Sequence, residues 1–167
     1  MADPDQQELF LTLLDEHRKI LHKVASSYAR DAEDRADLLQ DMIGELWRAF
    51  PSWDRQRRYS TWMYRIALNT AISWLRQESR RHRRIVTAEP MLLEIAAPEA
   101  EEPDERLAQL RSIITRLPAT ERALVLLYLD GLRHDAIAEV LGISESNVGT
   151  RINRIKQRLR NELTHVS

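Results

Sequence analysis

The chain has 167 residues, of which 31% are charged and 43% hydrophobic, a balance typical of a folded globular protein and not of a disordered one. It contains no cysteine, which excludes disulfide bonds, thiolate catalysis and cysteine-ligated zinc, and no hydrophobic run long enough to predict membrane insertion. Residues 61–85 carry six basic side chains and one acidic, residues 86–105 seven acidic and no basic, and residues 106–167 ten basic and six acidic. Two basic segments separated by an acidic one indicate two contacts with a polyanion.

The first half of the chain contains three predicted helices and a polar loop. Hydrophobic residues at helical spacing predict helices over 6–30 and 32–50, and a proline ends the second of them. Residues 51–59 carry three arginines and predict a loop. Ser60 is suited to cap a third helix over 61–84, because its hydroxyl can accept a hydrogen bond from a free backbone N–H.

The third predicted helix has two different faces when it is projected at 100° per residue. Its hydrophobic face consists of Tyr64, Ala67, Leu68, Ala71, Ile72 and Leu75. Its opposite face is cationic and consists of Trp62, Arg65, Asn69, Ser73, Arg76, Arg80 and Arg83. Arginines that follow phosphates and aromatic rings that stack on unpaired bases suit single-stranded or opening DNA. We therefore predict a surface for melted DNA, beside which the loop 52–59 with Tyr59 supplies a pocket for an extruded base.

The tryptophans of this half also fit a purely structural role. Trp47 and Trp74 fit a core position better than a DNA contact. For Trp53 and Trp62 a core position and a base-stacking surface fit equally well, so both interpretations stay open.

An acidic, proline-punctuated segment divides the chain. Residues 86–105 include three prolines and too few hydrophobic side chains to fold alone. They predict a flexible acidic linker over 86–103, between an N-terminal helical domain over 1–85 and a C-terminal one over 104–167. The fold class that follows is all-α, with two small helical domains.

The C-terminal segment predicts helices over 104–117 and 119–130, followed by a helix-turn-helix. Its two helices, over 133–140 and 145–162, flank a turn in which Gly142 can take the left-handed conformation. Ser144 is suited to cap the second helix. The first helix turns Ile137, Ala138 and Val140 inward, and the second has a hydrophobic stripe of Val148, Ile152, Ile155 and Leu159.

The outer face of the last helix is polar and cationic. The side chains that we expect to contact DNA there are Ser146, Asn147, Thr150, Arg151, Asn153, Arg154, Gln157 and Arg158. In a helix-turn-helix the start of the second helix meets base edges in the major groove, where Asn and Gln suit adenine and Arg suits guanine. A solvated amphipathic helix is the alternative. The turn glycine, the small Ala138 at the helix crossing, the cap and the basic face occur together, which favours DNA binding.

These residues resemble the C-terminal domain of bacterial sigma factors, which reads the minus-35 promoter element. The resemblance rests on Leu117-Pro118, Glu121-Arg122, Ala136-Ile137-Ala138, Leu141-Gly142-Ile143-Ser144 and Asn147-Val148-Gly149-Thr150-Arg151. The first half is similar to the same family: Asp37-Leu38-Leu39-Gln40-Asp41 with Leu46-Trp47 resembles the helix that docks on the polymerase clamp. The run from Tyr59 to Asn69, with Leu75-Arg76, resembles the segment that melts and reads the minus-10 element. A chain with only these two domains is similar to the extracytoplasmic-function (ECF) group.

Three positions depart from the family pattern. Gly149 stands inside the recognition helix where the family often has a basic residue, and an interior glycine costs about 0.5–1 kcal/mol against alanine. Gly44 interrupts the helix that resembles the clamp-docking helix, and Ser73 stands where the family often has aspartate. These departures bear on promoter sequence and clamp affinity rather than on the class of protein.

The resemblance implies a cytoplasmic, nucleoid-associated sigma factor that binds core RNA polymerase and promoter DNA without enzymatic activity, cofactor or metal. The side chains that it implies for polymerase binding are Asp34, Asp37, Leu38, Gln40, Asp41 and Glu45. An anti-sigma factor or another regulator is a partner that the sequence leaves open, and the acidic linker is either a nucleic-acid mimic inside polymerase or a solvated spacer. Two other classes stay as alternatives: an operator-binding regulator, and a sigma-like protein adaptor.

Overall fold

The structure is a computed structural model that describes residues 3–85 and 105–164, with side chains over 3–78 and 105–164. The predicted linker over 86–103 lies outside these residues. The chain divides into two compact units near Arg83. The described secondary structure is helical throughout, as predicted: α1 Pro4–Glu16, α2 Arg18–Tyr28, α3 Ala32–Ala49, a 3₁₀ helix Phe50–Ser52, α4 Tyr59–Ile85, α5 Glu105–Arg116, α6 Ala119–Leu129, α7 His134–Leu141 and α8 Glu145–Thr164.

The first predicted helix is in fact two helices, α1 and α2, which are interrupted at His17. This residue leaves helical geometry, with φ −111° and ψ 17°. The Leu13 carbonyl oxygen lies 3.1 Å from the His17 backbone nitrogen and 3.0 Å from its ring Nδ1. The backbone N–H and the ring Nδ1 of His17 therefore both have a hydrogen-bond partner in α1. The prediction of one continuous helix was wrong.

The helices of the N-terminal unit bury one hydrophobic core. α2 packs on α3, and α4 buries four residues of the face that the sequence predicted, Tyr64, Ala67, Leu68 and Ala71, whereas Ile72 and Leu75 are half-buried. The fully buried side chains are Val24, Leu38, Met42, Leu46, Met63, Tyr64 and Leu68. Burial of each large aliphatic side chain contributes about 1.5–3 kcal/mol, so this core fixes how α3 and α4 present their outer faces.

α4 begins two residues earlier than predicted. The Trp62 backbone N–H donates to the Arg58 carbonyl, so the helix already starts at Tyr59. Ser60 lies inside the first turn, and its predicted role as the cap was wrong. By contrast, Asp31 caps α3, because its carboxylate accepts a hydrogen bond from the Asp34 backbone N–H at 2.7 Å.

Two left-handed glycines shape the C-terminal unit. After the end of α6 at Leu129, Gly131 (φ 81°) closes the helix with the paired hydrogen bonds of a Schellman motif, from Leu132 N to Leu127 O and from Gly131 N to Tyr128 O. α7 ends at Gly142 (φ 69°), after which the Ser144 hydroxyl accepts a hydrogen bond from Asn147 N at 3.1 Å and caps α8. This is the turn and cap that the sequence predicted.

Within the described ranges, no helix is long and apolar enough to cross a membrane, and no cluster of His, Asp and Glu could hold a metal ion.

Candidate nucleic-acid interface

The hydrophobic face of α8 packs inside the C-terminal unit. Val148, Ile152 and Ile155 are buried, Leu159 is half-buried, and they pack against α6 and α7. From α7, Ile137 and Ala138 are buried as well. The outer face of α8 is therefore presented by a rigid scaffold, as a reading helix requires.

All eight side chains predicted to contact DNA through α8 are exposed, from Ser146 to Arg158. They are not equally available. Arg158 forms an ion pair with Glu121 of α6, with 3.0 Å between Nη1 and Oε2. The Thr150 hydroxyl donates to the Ser146 carbonyl at 3.0 Å. Arg151 and Arg154 make no ion pair among the described residues, so their guanidinium groups are available to an anion.

The cationic face of α4 is exposed along much of its length. Arg65, Asn69, Ser73 and Arg76 are exposed, and Trp62 at the start of this face is half-buried. Arg80 and Arg83, which were predicted to continue the face, lie outside the residues whose side chains are described.

Tyr59 does not belong to this surface. Its side chain is 6% exposed, and its hydroxyl has no hydrogen-bond partner among the described residues. Burial raises the pKa of Tyr59 to about 12, because the charged phenolate loses its hydration. The predicted contact of Tyr59 with DNA stays a prediction, and it requires this ring to become exposed.

Tyr59 instead belongs to an aromatic cluster with Phe50, Trp53 and Trp62. Its ring centroid lies 5.1 Å from that of Trp53 and 5.3 Å from that of Trp62, and Phe50 lies 6.1 Å from Trp62. The Trp53 indole N–H donates to the Arg57 carbonyl at 3.3 Å, which folds the loop before α4 back onto the cluster. Trp53 and Trp62 are half-buried: one part of each packs in the cluster and the rest is exposed, so base stacking by either ring stays a prediction.

The role of Phe50 in organising this cluster could not be read from the local sequence. Phe50 also contacts Phe10 of α1, at 5.2 Å between ring centroids, and Phe10 lies 4.9 Å from Trp47. These contacts join residues up to 40 positions apart. A hydrophobic residue directly before Pro51 was the one available signal.

The predicted polymerase-binding residues divide by burial. Asp37, Gln40, Asp41 and Glu45 are exposed on α3, and Asp34 is half-buried. Leu38 is fully buried and packs in the core, so its predicted contact with polymerase stays a prediction that requires it to become exposed. The pKa of Asp34 is raised, mainly by burial and then by repulsion from neighbouring acids, among which Asp31 has the largest effect.

A groove between α3 and α4 brings the two predicted surfaces of this unit together. Its volume is about 540 Å³, and residues of both sets line it: Gln40, Asp41 and Glu45 from α3, Asn69 and Ser73 from α4. Trp74, which was expected in the core, is half-buried and forms part of the wall. Gly44 also lines the groove, so two of the three departures from the family pattern face the same space.

Comparison with known proteins identifies the chain. The family model for sigma-70 region 2 matches residues 13–81, and the model for sigma-70, region 4 matches residues 107–159. The ECF RNA polymerase sigma-E factor of Escherichia coli K12 is 32% identical over 155 residues, which cover 85% of this chain and 81% of that protein. The chain belongs to the sigma-70 family, in its ECF group. Sigma factors are non-enzymatic subunits of RNA polymerase that direct promoter-specific initiation of transcription, and their region 4 helix-turn-helix binds DNA.

Other relatives of this sigma factor agree in sequence and fold. The probable RNA polymerase sigma factor RfaY of Xanthomonas campestris is 29% identical over 148 residues, which cover 84% of this chain and 36% of that longer protein. The structure of CnrH in complex with the cytosolic domain of CnrY has a TM-score of 0.70 at 26% identity, covering 96% of this chain and 91% of that one. The sigma factor RpoE in complex with the anti-sigma factor NepR from Bartonella quintana has the same fold, with a TM-score of 0.70 at 20% identity over 93% of this chain and 96% of that one.

Proposed function

We propose that this sigma factor binds core RNA polymerase and reads a two-part promoter with one DNA surface on each unit. The single observation that carries the proposal is the outer face of α8. Eight polar or cationic side chains are exposed there, on a helix whose opposite side is buried in a capped helix-turn-helix.

The minus-35 element is assigned to α8. Arg151 and Arg154 are exposed, and among the described residues neither forms an ion pair, so each can make a bidentate contact with guanine or bind a phosphate. Asn147 and Asn153 are exposed on the same helix and suit adenine. Arg158 contributes less, because Glu121 already neutralises part of its charge.

The minus-10 element is assigned to the outer face of α4 and the aromatic cluster. The exposed parts of Trp53 and Trp62 offer stacking surfaces, and Arg65 and Arg76 offer charge for the phosphates of a separated strand. Stacking of one base on an aromatic side chain is worth about 1–3 kcal/mol, which offsets the cost of extruding it.

Core polymerase is assigned to the exposed acids of α3. Asp37 and Asp41 carry negative charge without burial, as expected for a surface that meets a basic partner. Glu45 is exposed as well but contributes less, because its Oε1 lies 2.9 Å from Nη1 of Arg48. This function is carried out in the cytoplasm, at the nucleoid. An anti-sigma factor is a further proposed partner, because the related RpoE is in complex with one.

The test is reconstitution of the purified sigma factor with core polymerase, followed by transcription from a library of promoters. We expect Arg151→Ala combined with Arg154→Ala to abolish dependence on the minus-35 sequence while core binding is retained. Arg160→Ala, which removes an exposed arginine further along α8, is the matched control and should leave sequence preference unchanged. Loss of core binding in the double variant would contradict the assignment of α8 to DNA.

A further inference from the structure

Gly149 occupies a helical position that nothing in the backbone explains. It lies inside α8, and the glycines with positive φ in the described residues are Gly131 and Gly142. A Cβ atom built on Gly149 would clash with nothing, since its nearest neighbours lie 3.9 Å away. Glycine therefore weakens α8 by about 0.5–1 kcal/mol against alanine without a conformational reason.

Outside α8 and its own chain neighbours, a Cβ at position 149 would meet atoms of one side chain. Both atoms at 3.9 Å, Cε1 and Nδ1, are in the imidazole ring of His134, the first residue of α7. The ring thus lies over the part of the α8 surface that glycine leaves bare. A side chain longer than alanine at position 149 would share this space with the imidazole.

The ring also lies at the edge of the predicted DNA-contacting face. Position 149 is three residues after Ser146 and four before Asn153, so all three share one side of α8. His134 itself is exposed. Its two neighbours in sequence, Arg133 before α7 and Asp135 within it, form an ion pair with 3.7 Å between Nε and Oδ1.

We propose that His134 is a further DNA-contacting residue, which takes the place on the recognition surface that a side chain at position 149 would occupy. This inference rests on the proposed reading of the minus-35 element by α8. The first helix of a helix-turn-helix crosses the DNA backbone, so the imidazole meets a phosphate rather than a base. A histidine ring always carries at least one N–H that can donate to a phosphate oxygen.

The test is a double-mutant cycle on the reconstituted holoenzyme, with binding measured to promoter DNA selected from a randomised minus-35 library. His134→Ala should weaken binding about tenfold, as expected for loss of a hydrogen bond to a charged group, and by a similar factor for every minus-35 sequence. His134→Gln, which keeps a side-chain N–H, should recover most of the loss. In a Gly149→Arg background the arginine displaces the ring and supplies its own charge, so His134→Ala should then change binding less than twofold.

Three results would overturn the inference: an effect of His134→Ala below twofold in the native background, an equal factor in both backgrounds, or a loss confined to one base-pair position. Arg154→Ala separates this failure from failure of the proposed function. If Arg154→Ala weakens binding and His134→Ala does not, α8 still reads the element and only the role of His134 fails. If neither variant weakens binding, the assignment of α8 to the minus-35 element fails as well. Far-ultraviolet circular dichroism of each variant verifies that the helices are retained.

Discussion

Replacing single glycines by alanine should change the free energy of unfolding of this protein through backbone conformation and not through side-chain packing. The four glycines form two pairs: Gly131 and Gly142 have positive φ, whereas Gly44 and Gly149 lie within helices. A Cβ at Gly131, Gly142 or Gly44 meets nothing within 4 Å, and at Gly149 it meets the His134 ring at an ordinary contact distance. None of the four substitutions causes a steric clash, so the free energy of unfolding reports backbone conformation alone.

The magnitude at Gly142 is a difference of two effects. An alanine in the left-handed region costs about 1–2 kcal/mol. The loss of conformational freedom in the unfolded chain returns about 0.4–1 kcal/mol. Gly142→Ala should therefore lower the free energy of unfolding of the C-terminal unit by about 1 kcal/mol. Gly149→Ala should raise it by about 0.5–1 kcal/mol, because alanine is favoured inside a helix.

Urea denaturation measured with two probes tests these signs. All four tryptophans, at positions 47, 53, 62 and 74, lie in the N-terminal unit, so their fluorescence reports that unit, whereas far-ultraviolet circular dichroism reports both. Gly142→Ala should shift the dichroism transition to lower urea and leave the fluorescence transition in place. Gly44→Ala should shift the fluorescence transition to higher urea. A Gly142→Ala variant as stable as the native protein, or a destabilised Gly149→Ala variant, would refute the reasoning.

Three further predictions follow from burial and charge. Ile137→Ala should destabilise the C-terminal unit by about 2–5 kcal/mol in urea and Ile137→Val by about 0.5–1.5 kcal/mol, because the side chain is fully buried; equal costs would contradict its place in the core. Tyr59→Phe removes an unpartnered hydroxyl and should leave stability in urea unchanged or higher. Folding raises the pKa of Tyr59 from 10.0 to about 12. The stability that comes from keeping this phenol neutral is present below pH 10 and is lost as pH rises through 12. Ultraviolet titration should show one late-ionising tyrosine that is absent from Tyr59→Phe. Glu121→Gln should cost less than about 1 kcal/mol at low salt and nothing at high salt, because the pair with Arg158 is partly exposed; a cost independent of salt would contradict this.

The helix-turn-helix could be predicted closely because its signals are local. Gly142 in the turn, Ser144 as the cap and the spacing of Val148 and Ile152 each depend on neighbours within a few positions. The interruption at His17 could not be predicted in this way. No glycine or proline marks it, and the hydrophobic spacing passes through it with near-helical periodicity.

The candidate site was predicted less completely, because burial depends on contacts between distant residues. Tyr59 and Leu38 each directly follow an exposed residue in sequence, yet both are buried by packing between helices. The ion pair of Arg158 joins positions 37 residues apart, and the His134 ring approaches position 149 across the turn. The sequence pattern predicts which residue types lie on a surface, but not which of those side chains are buried or paired with a distant residue.

The most direct test of the account is transcription by core polymerase with the purified sigma factor on a library in which the minus-35 and minus-10 elements are randomised separately. We expect the native protein to select sequences at both elements. When Arg151 and Arg154 are both replaced by alanine, we expect selection at the minus-10 element alone. A double variant that still selects a minus-35 sequence, or a native protein that directs no start site with core polymerase, would contradict this expectation.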